Sequence, residues 1–171
     1  MTITPTQRLL PSGKLYDLAN PTADGFTSFD IIVGLSSINR FLGALKTNIT
    51  VARHSVAGWV LCEDPEVKPY MLMHDFHEAL VGDLIRPVYK ALGPEFEARW
   101  RTLTHHLDLK IWEHYGYPPP SLEIQQEVSR IDNVLCDFEL SWYGNEVIPA
   151  GTECVHAYRT EISLHEAIAS L

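Results

Sequence analysis

Hydrophobic residues recur at intervals of three and four along most of the chain, a spacing that predicts helices separated by proline and glycine breaks. The clearest case is a helix over residues 122–142, and a first helix is predicted over residues 29–42 with Ser28 as its cap. Residues 51–61 predict another, whereas residues 1–27 are expected to form an irregular arm. The stripe in residues 122–142 consists of Ile124, Val128, Ile131, Leu135, Phe138 and Trp142. The pattern predicts an all-α fold.

Prolines and glycines define the boundaries in the middle of the chain. Asp64 and Pro65 predict the start of a helix, with the aspartate as its cap and the proline in its first turn. This helix is expected to continue through the most polar stretch of the chain and to stop at Gly82. Arg86 and Pro87 then predict an extended or turning segment, because a residue before proline disfavours the helical conformation.

The C-terminal half follows the same logic. A long amphipathic helix is predicted over residues 94–115, opened by a proline. Residues 149–151 break the chain again, and residues 154–158 are expected to be extended. Ser163 and Glu166 have the spacing of a capping box, which predicts a short terminal helix. Neither a repeat nor a linker is evident, so residues 1–171 are expected to form one domain.

Composition narrows the class of protein. The chain has 171 residues, of which 46% are hydrophobic and 20% charged, as is ordinary for a globular protein with a sizeable core. Its net charge of −9 argues against a nucleic-acid duplex as partner, since phosphate binding needs a basic surface. Three cysteines without a CxxC motif fit a reducing compartment. With no signal sequence or membrane-spanning run, a cytoplasmic location without a membrane partner is expected.

The densest chemistry lies in residues 73–83, which hold two histidines and three carboxylates in an otherwise apolar run. On a helix, His74 and Glu78 would share a face, with Asp75 on its edge. An unpaired ionised carboxylate is strongly disfavoured in an apolar setting. A cluster of this density therefore indicates a bound cation.

Two further polar residues lie on apolar faces. Asp132 falls within the stripe of residues 122–142, and His54 lies among the apolar residues of the predicted helix 51–61. Taken singly, each is more often a hydrogen-bonded core residue than a ligand. Together with His74 and Asp75 they predict three separate segments that deliver ligands to one point.

The order His54, His74-Asp75, Asp132 resembles the metal signature of the HD-domain phosphohydrolases. Residues 50–56 are similar to the first-histidine segment of the small bacterial and phage nucleotide hydrolases of that superfamily. Their second signature, with a Glu, a Gly-Asp and a basic turn after the doublet, is matched here by Glu78, Gly82, Asp83, Arg86, Pro87 and Lys90. Farther upstream, residues 12–14 and the pair Arg40-Phe41 are similar in character to the phage dATP triphosphohydrolases.

This resemblance implies a compact HD-domain helical bundle and one divalent transition ion of the Zn, Co or Mn class, with Mg²⁺ accompanying a triphosphate. It also implies that Glu78 orients or deprotonates the attacking water. Asp83 is a candidate to bond a sugar hydroxyl, although an ordinary loop or capping role fits its position almost as well. The implied metal ligands are His54, His74, Asp75 and Asp132.

The substrate phosphate needs cations beyond the metal. Arg40, Arg86 and Lys90 are the candidates near the signature segments, with Lys46 and Arg53 as weaker ones; each could also be a solvated surface charge. A bulky Phe41 would crowd a ribose 2′-hydroxyl, which by family analogy favours deoxyribose. The family implies a homo-oligomer, either a dimer or a hexamer.

The sequence therefore predicts a metal-dependent deoxynucleoside triphosphate triphosphohydrolase that prefers dATP and releases deoxynucleoside and triphosphate. The first alternative is a 5′-deoxynucleotidase that hydrolyses a deoxynucleoside monophosphate. The second is a catalytically silent HD module that only binds a nucleotide, and the third is a purely structural metal protein.

Overall fold

The computed structural model describes residues 3–45, 47–141 and 153–171. These residues are mostly helical, which confirms the predicted fold class. None of the described helices has the length and apolar character that crossing a membrane requires. The helices are α1 (Ser28–Ser37), α2 (Val51–Leu61), α3 (Lys68–Met73), α4 (Glu78–Val81), α5 (Arg86–Ala91), α6 (Pro94–Tyr115), α7 (Leu122–Ser141), α8 (Glu153–Arg159) and α9 (Leu164–Ile168).

The N-terminal arm contains a small hairpin rather than only irregular chain. Strands β1 (Gln7–Leu9) and β2 (Leu15–Asp17) pair antiparallel, and the turn between them uses Gly13 at a φ of 84°. Three-residue strands are too short for the alternating pattern that identifies a strand in sequence. Arg8 fixes the hairpin to the bundle because its Nη1 donates to the carbonyls of Ala79 and Leu80, at 3.1 and 2.6 Å.

Helix α1 differs from its prediction at both ends. Its cap is Thr27 rather than Ser28: the Thr27 side chain accepts from the Asp30 backbone N–H, and the Asp30 carboxylate accepts from the Thr27 backbone N–H. The helix ends at Ser37 instead of residue 42. A 3₁₀ turn, Arg40–Gly43, follows in place of the last predicted turn.

The face that α1 buries also differs from the stripe that the sequence spacing predicts, which consists of Phe29, Ile32, Leu35, Ile38, Phe41 and Leu42. Ile31 and Leu35 are fully buried, whereas Phe29 is 56% exposed and Leu42 is 67% exposed. The 3₁₀ turn explains the exposure of Leu42, since Phe41 and Leu42 both adopt a left-handed conformation with a φ of 54°. A continuous stripe of three- and four-residue spacing cannot reveal such a reversal.

The helix predicted to run from residue 64 to Gly82 is interrupted in the structure. Helix α3 begins only at Lys68, and residues 74–77 form a turn between α3 and α4. Within the turn, backbone N–H groups bond three residues back, as from Phe76 to Met73 and from Glu78 to Asp75, both at 3.0 Å. The turn directs Phe76 into the core, where it is fully buried.

Two segments expected to be extended are helical. Arg86 begins α5, because Pro87 occupies the first turn, where no intrahelical partner is needed for its missing N–H. Residues 154–158 lie inside α8. Both helices are six or seven residues long, and such short helices depend on tertiary packing more than on local sequence.

The remaining helix predictions are confirmed. Helices α2 and α6 have the predicted ends, and α7 begins at Leu122. The capping box of Ser163 and Glu166 forms at the start of α9. In the α7 stripe, Ile131, Leu135 and Phe138 are buried as predicted. Trp142 and the predicted break at residues 149–151 lie outside the described residues.

Helix α2 occupies the centre of the packing. It contacts α1, α3, α7, α8 and α9. Two glycines allow close approach around it: a Cβ at Gly58 would lie 2.5 Å from Met71 Cε, and one at Gly34 would lie 2.9 Å from Ala79 Cβ. The second contact brings α1 directly against α4, which begins with Glu78.

Candidate active site

Four polar side chains from three separate segments converge beside α2. His54 projects from α2 and is fully buried, His74 and Asp75 lie in the turn after α3, and Asp132 lies on α7. His54 Nε2 is 3.1 Å from His74 Nε2 and 3.1 Å from Asp132 Oδ1. His74 Nε2 is 3.1 Å from Asp75 Oδ2. The structure thus brings together all four residues that the sequence proposes as metal ligands.

The group is compact enough to share one small ligand. His54, His74 and Asp75 each offer one ligand atom, and these atoms lie within 4.8 Å of one another. Asp132 is near both imidazoles, with Oδ1 at 3.8 Å from His74 Nε2. Imidazole nitrogens and carboxylate oxygens are ligands for divalent transition ions. His54, His74 and Asp75 therefore form a cluster that could hold a metal ion.

The other nitrogen of each imidazole already has a hydrogen-bond acceptor. His54 Nδ1 donates to Glu139 Oε1 at 2.8 Å, and His74 Nδ1 donates to the carbonyl oxygen of Met71 at 2.7 Å. A carbonyl oxygen and an ionised carboxylate can only accept, so both Nδ1 atoms carry hydrogen. In their neutral forms the two imidazoles then present only lone pairs at their Nε2 atoms.

The charges of the cluster shift one another's titration. Burial by itself would raise the pKa of the Asp75 carboxyl, but His74, His54 and Arg40 hold that pKa well below its usual range. Burial by itself would lower the pKa of His74, and Asp75 raises it to about 9. The site therefore favours positive charge next to its carboxylates, in the form of protons or of a metal ion.

Arg40 approaches the cluster from the 3₁₀ turn and is almost fully buried. Its Nε donates to Glu139 Oε2 at 2.8 Å, its Nη1 to Asp75 Oδ2 at 3.4 Å and its Nη2 to Cys136 Sγ at 2.9 Å. The guanidinium carbon also lies 5.3 Å from the centre of the Phe41 ring. Arg40 thus borders the cluster, and three of its five N–H groups donate to acceptors within the protein.

Glu78 and Asp83 supply further carboxylates near the cluster. Glu78 Oε2 is buried and has no hydrogen-bond partner among the described residues. Burial, followed by the charges of Asp75 and Asp83, raises the pKa of Glu78 well above its ordinary value. Burial also raises the pKa of Asp83. Both carboxyl groups therefore hold a proton more readily than a solvated carboxyl group does.

The other proposed phosphate ligands are not part of the cluster. Arg86 and Lys90 are exposed on α5, and Lys90 Nζ bonds both oxygens of Glu97, at 2.8 and 2.7 Å. Arg53 donates to the backbone carbonyls of Tyr158 and Thr160, which gives it a structural role. Lys46 lies outside the described residues.

Two polar residues that contact the cluster do not emerge from the sequence pattern. Glu139 is fully buried between His54 and Arg40, and it also accepts a hydrogen bond from the Tyr158 hydroxyl of α8. Glu139 lies seven residues, or two turns, after Asp132 on α7, which is a signal that the two share a face. For Tyr158, the expectation of an extended segment concealed the helix that carries it.

His77, next to the cluster in sequence, has a different function in the fold. Its Nδ1 donates to Asp108 Oδ1 at 2.9 Å, and this pair joins the turn at residues 74–77 to α6. Burial would lower the pKa of His77, but Asp108 raises it. The pair therefore holds in place the turn that carries His74 and Asp75.

Fold and site together define a helical protein with a buried histidine and carboxylate cluster suited to a metal ion. No protein-family profile matches the chain. Over 111 residues it is 34% identical to the uncharacterized protein YfdR of Escherichia coli (strain K12). The match covers 63% of this chain, and the chain spans 57% of the length of that relative.

Proposed function

We propose that the protein is a metal-dependent phosphohydrolase that acts on a deoxynucleotide. The observation that carries this proposal is the distance of 3.1 Å between the Nε2 atoms of His54 and His74, with both Nδ1 atoms donating elsewhere. Two lone pairs at this separation repel, and the adjoining carboxylate oxygens of Asp75 and Asp132 add only acceptors. A cation among these four atoms relieves the repulsion: a metal ion accepts both lone pairs, whereas a proton on His74, whose pKa is raised to about 9, occupies only one of them.

The donor set fits a divalent ion of the transition series. Two imidazole nitrogens and two carboxylate oxygens form a mixed set that suits zinc and its neighbours better than calcium or magnesium. His54, His74, Asp75 and Asp132 would hold the ion. When bound, such an ion supplies Lewis-acid polarisation of a phosphoryl group.

The environment of Glu78 favours a catalytic metal site over a purely structural one. A structural metal site has no need for an additional carboxylate whose oxygen is buried and unpaired. With its raised pKa, Glu78 is suited to take a proton from a water molecule near neutral pH and to return it to the leaving group. The same feature counts against a silent nucleotide-binding module.

For the substrate, dATP hydrolysed to deoxyadenosine and triphosphate is the reaction we propose, on the basis of the family resemblance. Arg86 and Lys90 would bind the distal phosphates, and Phe41, beside Arg40, would exclude a 2′-hydroxyl. The pairing of Lys90 with Glu97 favours a second candidate, a deoxynucleoside monophosphate, because it reduces the positive charge available to a long phosphate chain.

The experiment that tests the proposal is a panel of deoxyribonucleotides and ribonucleotides incubated with the protein, with and without Zn²⁺, Co²⁺ or Mn²⁺. Products are resolved by anion exchange. Deoxyadenosine and triphosphate from dATP are the expected result. Turnover of dAMP with dATP left intact would establish the second candidate, and no metal-dependent hydrolysis of any nucleotide would overturn the proposal.

Variants assign the chemistry to the cluster. Glu78→Gln should keep the fold and the metal but lose about 10²–10⁴-fold in turnover, the usual effect of removing a positioned acid or base. Asp132→Asn should weaken metal retention. The matched control is Asp137→Asn, which changes an exposed carboxylate on the same helix and should leave both properties unaltered.

A further inference from the structure

Glu139 is the most deeply buried carboxylate next to the cluster, with no exposed surface. It accepts three hydrogen bonds, from His54 Nδ1 at 2.8 Å, from Arg40 Nε at 2.8 Å and from the Tyr158 hydroxyl. A buried carboxylate is tolerated when charged and polar donors surround it in this way. Glu139 is not one of the four residues proposed as metal ligands. It bonds His54 at Nδ1, the ring nitrogen that faces away from the proposed metal position.

The contact with His54 determines which nitrogen of the imidazole faces the cluster. A carboxylate acceptor 2.8 Å from Nδ1 requires a hydrogen on Nδ1, so the lone pair of the neutral ring lies on Nε2. Nε2 is the atom that lies 3.1 Å from both His74 Nε2 and Asp132 Oδ1. Without an acceptor at Nδ1, the ring could take either tautomer or rotate.

The two histidines differ in this respect. His74 Nδ1 donates to a neutral backbone carbonyl, that of Met71, whereas His54 Nδ1 donates to a carboxylate. A carboxylate at the outer nitrogen makes the inner nitrogen a stronger ligand than a carbonyl does. His54 is thus equipped to be the stronger of the two imidazole donors.

We infer, on the basis of the proposed metal site, that Glu139 is a positioning residue that fixes the His54 tautomer and orientation for metal binding. The same carboxylate holds Arg40 by its Nε, leaving Nη1 directed at Asp75. One buried side chain therefore aligns a metal ligand and the cation beside it. Tyr158 on α8 donates a third hydrogen bond to this carboxylate.

The test measures metal binding directly, with Zn²⁺ and Co²⁺ as probes and no nucleotide present. In Glu139→Gln, an amide replaces the charged acceptor, and the Kd for Zn²⁺ from chelator competition should rise about 10–100-fold. The visible absorption of the Co²⁺-loaded protein should change in position or intensity, because the His54 donor is altered. The matched control is Glu127→Gln, on the exposed side of the same helix, where the carboxylate bonds Arg130.

A purely structural role gives a different result. Glu139→Gln would then lower the thermal midpoint but leave the Kd for Zn²⁺ and the Co²⁺ spectrum equal to those of the unmutated protein, which would overturn the inference. Tyr158→Phe separates the two effects further. It removes a bond to Glu139 but keeps the carboxylate on His54, so the Co²⁺ spectrum should stay close to that of the unmutated protein.

A measurement on the unmutated protein covers the case in which Glu139→Gln does not fold. Long-range ¹H–¹⁵N spectra of the Zn²⁺-loaded protein labelled at histidine should show His54 protonated at Nδ1 and metal-bound at Nε2. Metal at Nδ1, or a hydrogen on Nε2, would overturn the inference. A protein with the expected spectra that hydrolyses no nucleotide would instead overturn the proposed function and leave the role of Glu139 intact.

Discussion

Glu78 combines a carboxyl group with a buried position in which one oxygen has no partner among the described residues. Because burial raises its pKa, the native state binds this proton more tightly than the unfolded chain does. This proton contributes fully to the stability of the folded state below the pKa of a glutamate in the unfolded chain, about 4.3. The stabilisation is lost as the pH rises through the raised pKa of Glu78 in the folded state. Glu78 should therefore make the metal-free protein less stable as pH increases.

The prediction is checked with thermal midpoints of the metal-free protein and Glu78→Gln between about pH 4 and about pH 8. The midpoint of Glu78→Gln, relative to that of the unmutated protein, should increase over this interval, since glutamine has no proton to lose. Glu95→Gln, on the exposed first turn of α6, provides the control. Parallel curves for Glu78→Gln and the unmutated protein would contradict the raised pKa.

Leu42 is an exposed residue in a left-handed conformation, with a φ of 54° and 67% of its surface accessible. A residue with a Cβ is strained there by about 1–2 kcal/mol, and glycine is not. Leu42→Gly should therefore stabilise the protein by about 1 kcal/mol, as measured by urea unfolding. Leu42→Ala keeps the Cβ and should bring no such gain; equal effects of the two variants would show that strain is not the cause.

The sequence reveals some site residues but not others for a physical reason. His54 and Asp132 stand out because each is polar within an apolar stripe, and His74-Asp75 because polar groups are dense there. Glu139 lies on a helix that has several exposed acidic residues, and nothing in the local sequence distinguishes it from them. What sets it apart is a tertiary contact with Arg40. That contact crosses most of the chain and leaves no local pattern.

At the scale of elements, the packing of α1 against α4 depends on Gly34. A Cβ at this position would lie 2.9 Å from Ala79 Cβ and 3.0 Å from Ala79 Cα, so the backbone of α4 would have to move. Gly34→Ala should destabilise the protein by about 1–3 kcal/mol, the usual cost of overpacking. Since Glu78 precedes Ala79, turnover by the proposed phosphohydrolase should fall as well.

The two effects of Gly34→Ala are read by urea unfolding and by initial rates under the same metal loading. Ser36→Ala places a similar change on the exposed side of α1 and serves as the control. A Gly34→Ala protein with unaltered stability would mean that α1 and α4 can separate freely. That result would contradict the inference that α1 holds α4, and with it Glu78, in place.

Long elements are predictable from this sequence, whereas short ones are predictable only where a local signal marks them, as the capping box does for α9. Helices α6 and α7 extend over 22 and 20 residues, enough for a stripe or a proline start to define them. Helix α4 has four residues, and the turn before it exists because Phe76 is buried while His74 and Asp75 face the cluster. Helix propensity, which depends on local sequence, cannot predict which of these neighbouring side chains turns into the core and which face the cluster.

At the scale of the whole molecule, metal binding should be visible as stability. An ion that binds only the folded state adds about 2.7 kcal/mol at a free concentration of 100 times its Kd. For a protein of this size, removal of Zn²⁺ by a chelator should then lower the thermal midpoint by roughly 5–10 °C. Asp132→Asn should show a much smaller difference between metal-loaded and metal-free samples, and an equal difference would remove Asp132 from the metal site.

The hydrogen bonds around Glu139 join parts of the chain that are synthesised far apart in time. Arg40 and Glu139 are separated by 99 positions, and His54 and Tyr158 by 104. Closing such long loops is entropically costly and slow compared with forming a helix. On the ribosome, a chain that ends before α7 has His54, His74 and Asp75 but neither Asp132 nor Glu139. The four proposed ligands are therefore complete only after residue 132 has emerged, and the carboxylate that holds His54 Nδ1 only after residue 139. On the proposed function, metal loading is then a late step in the maturation of this protein.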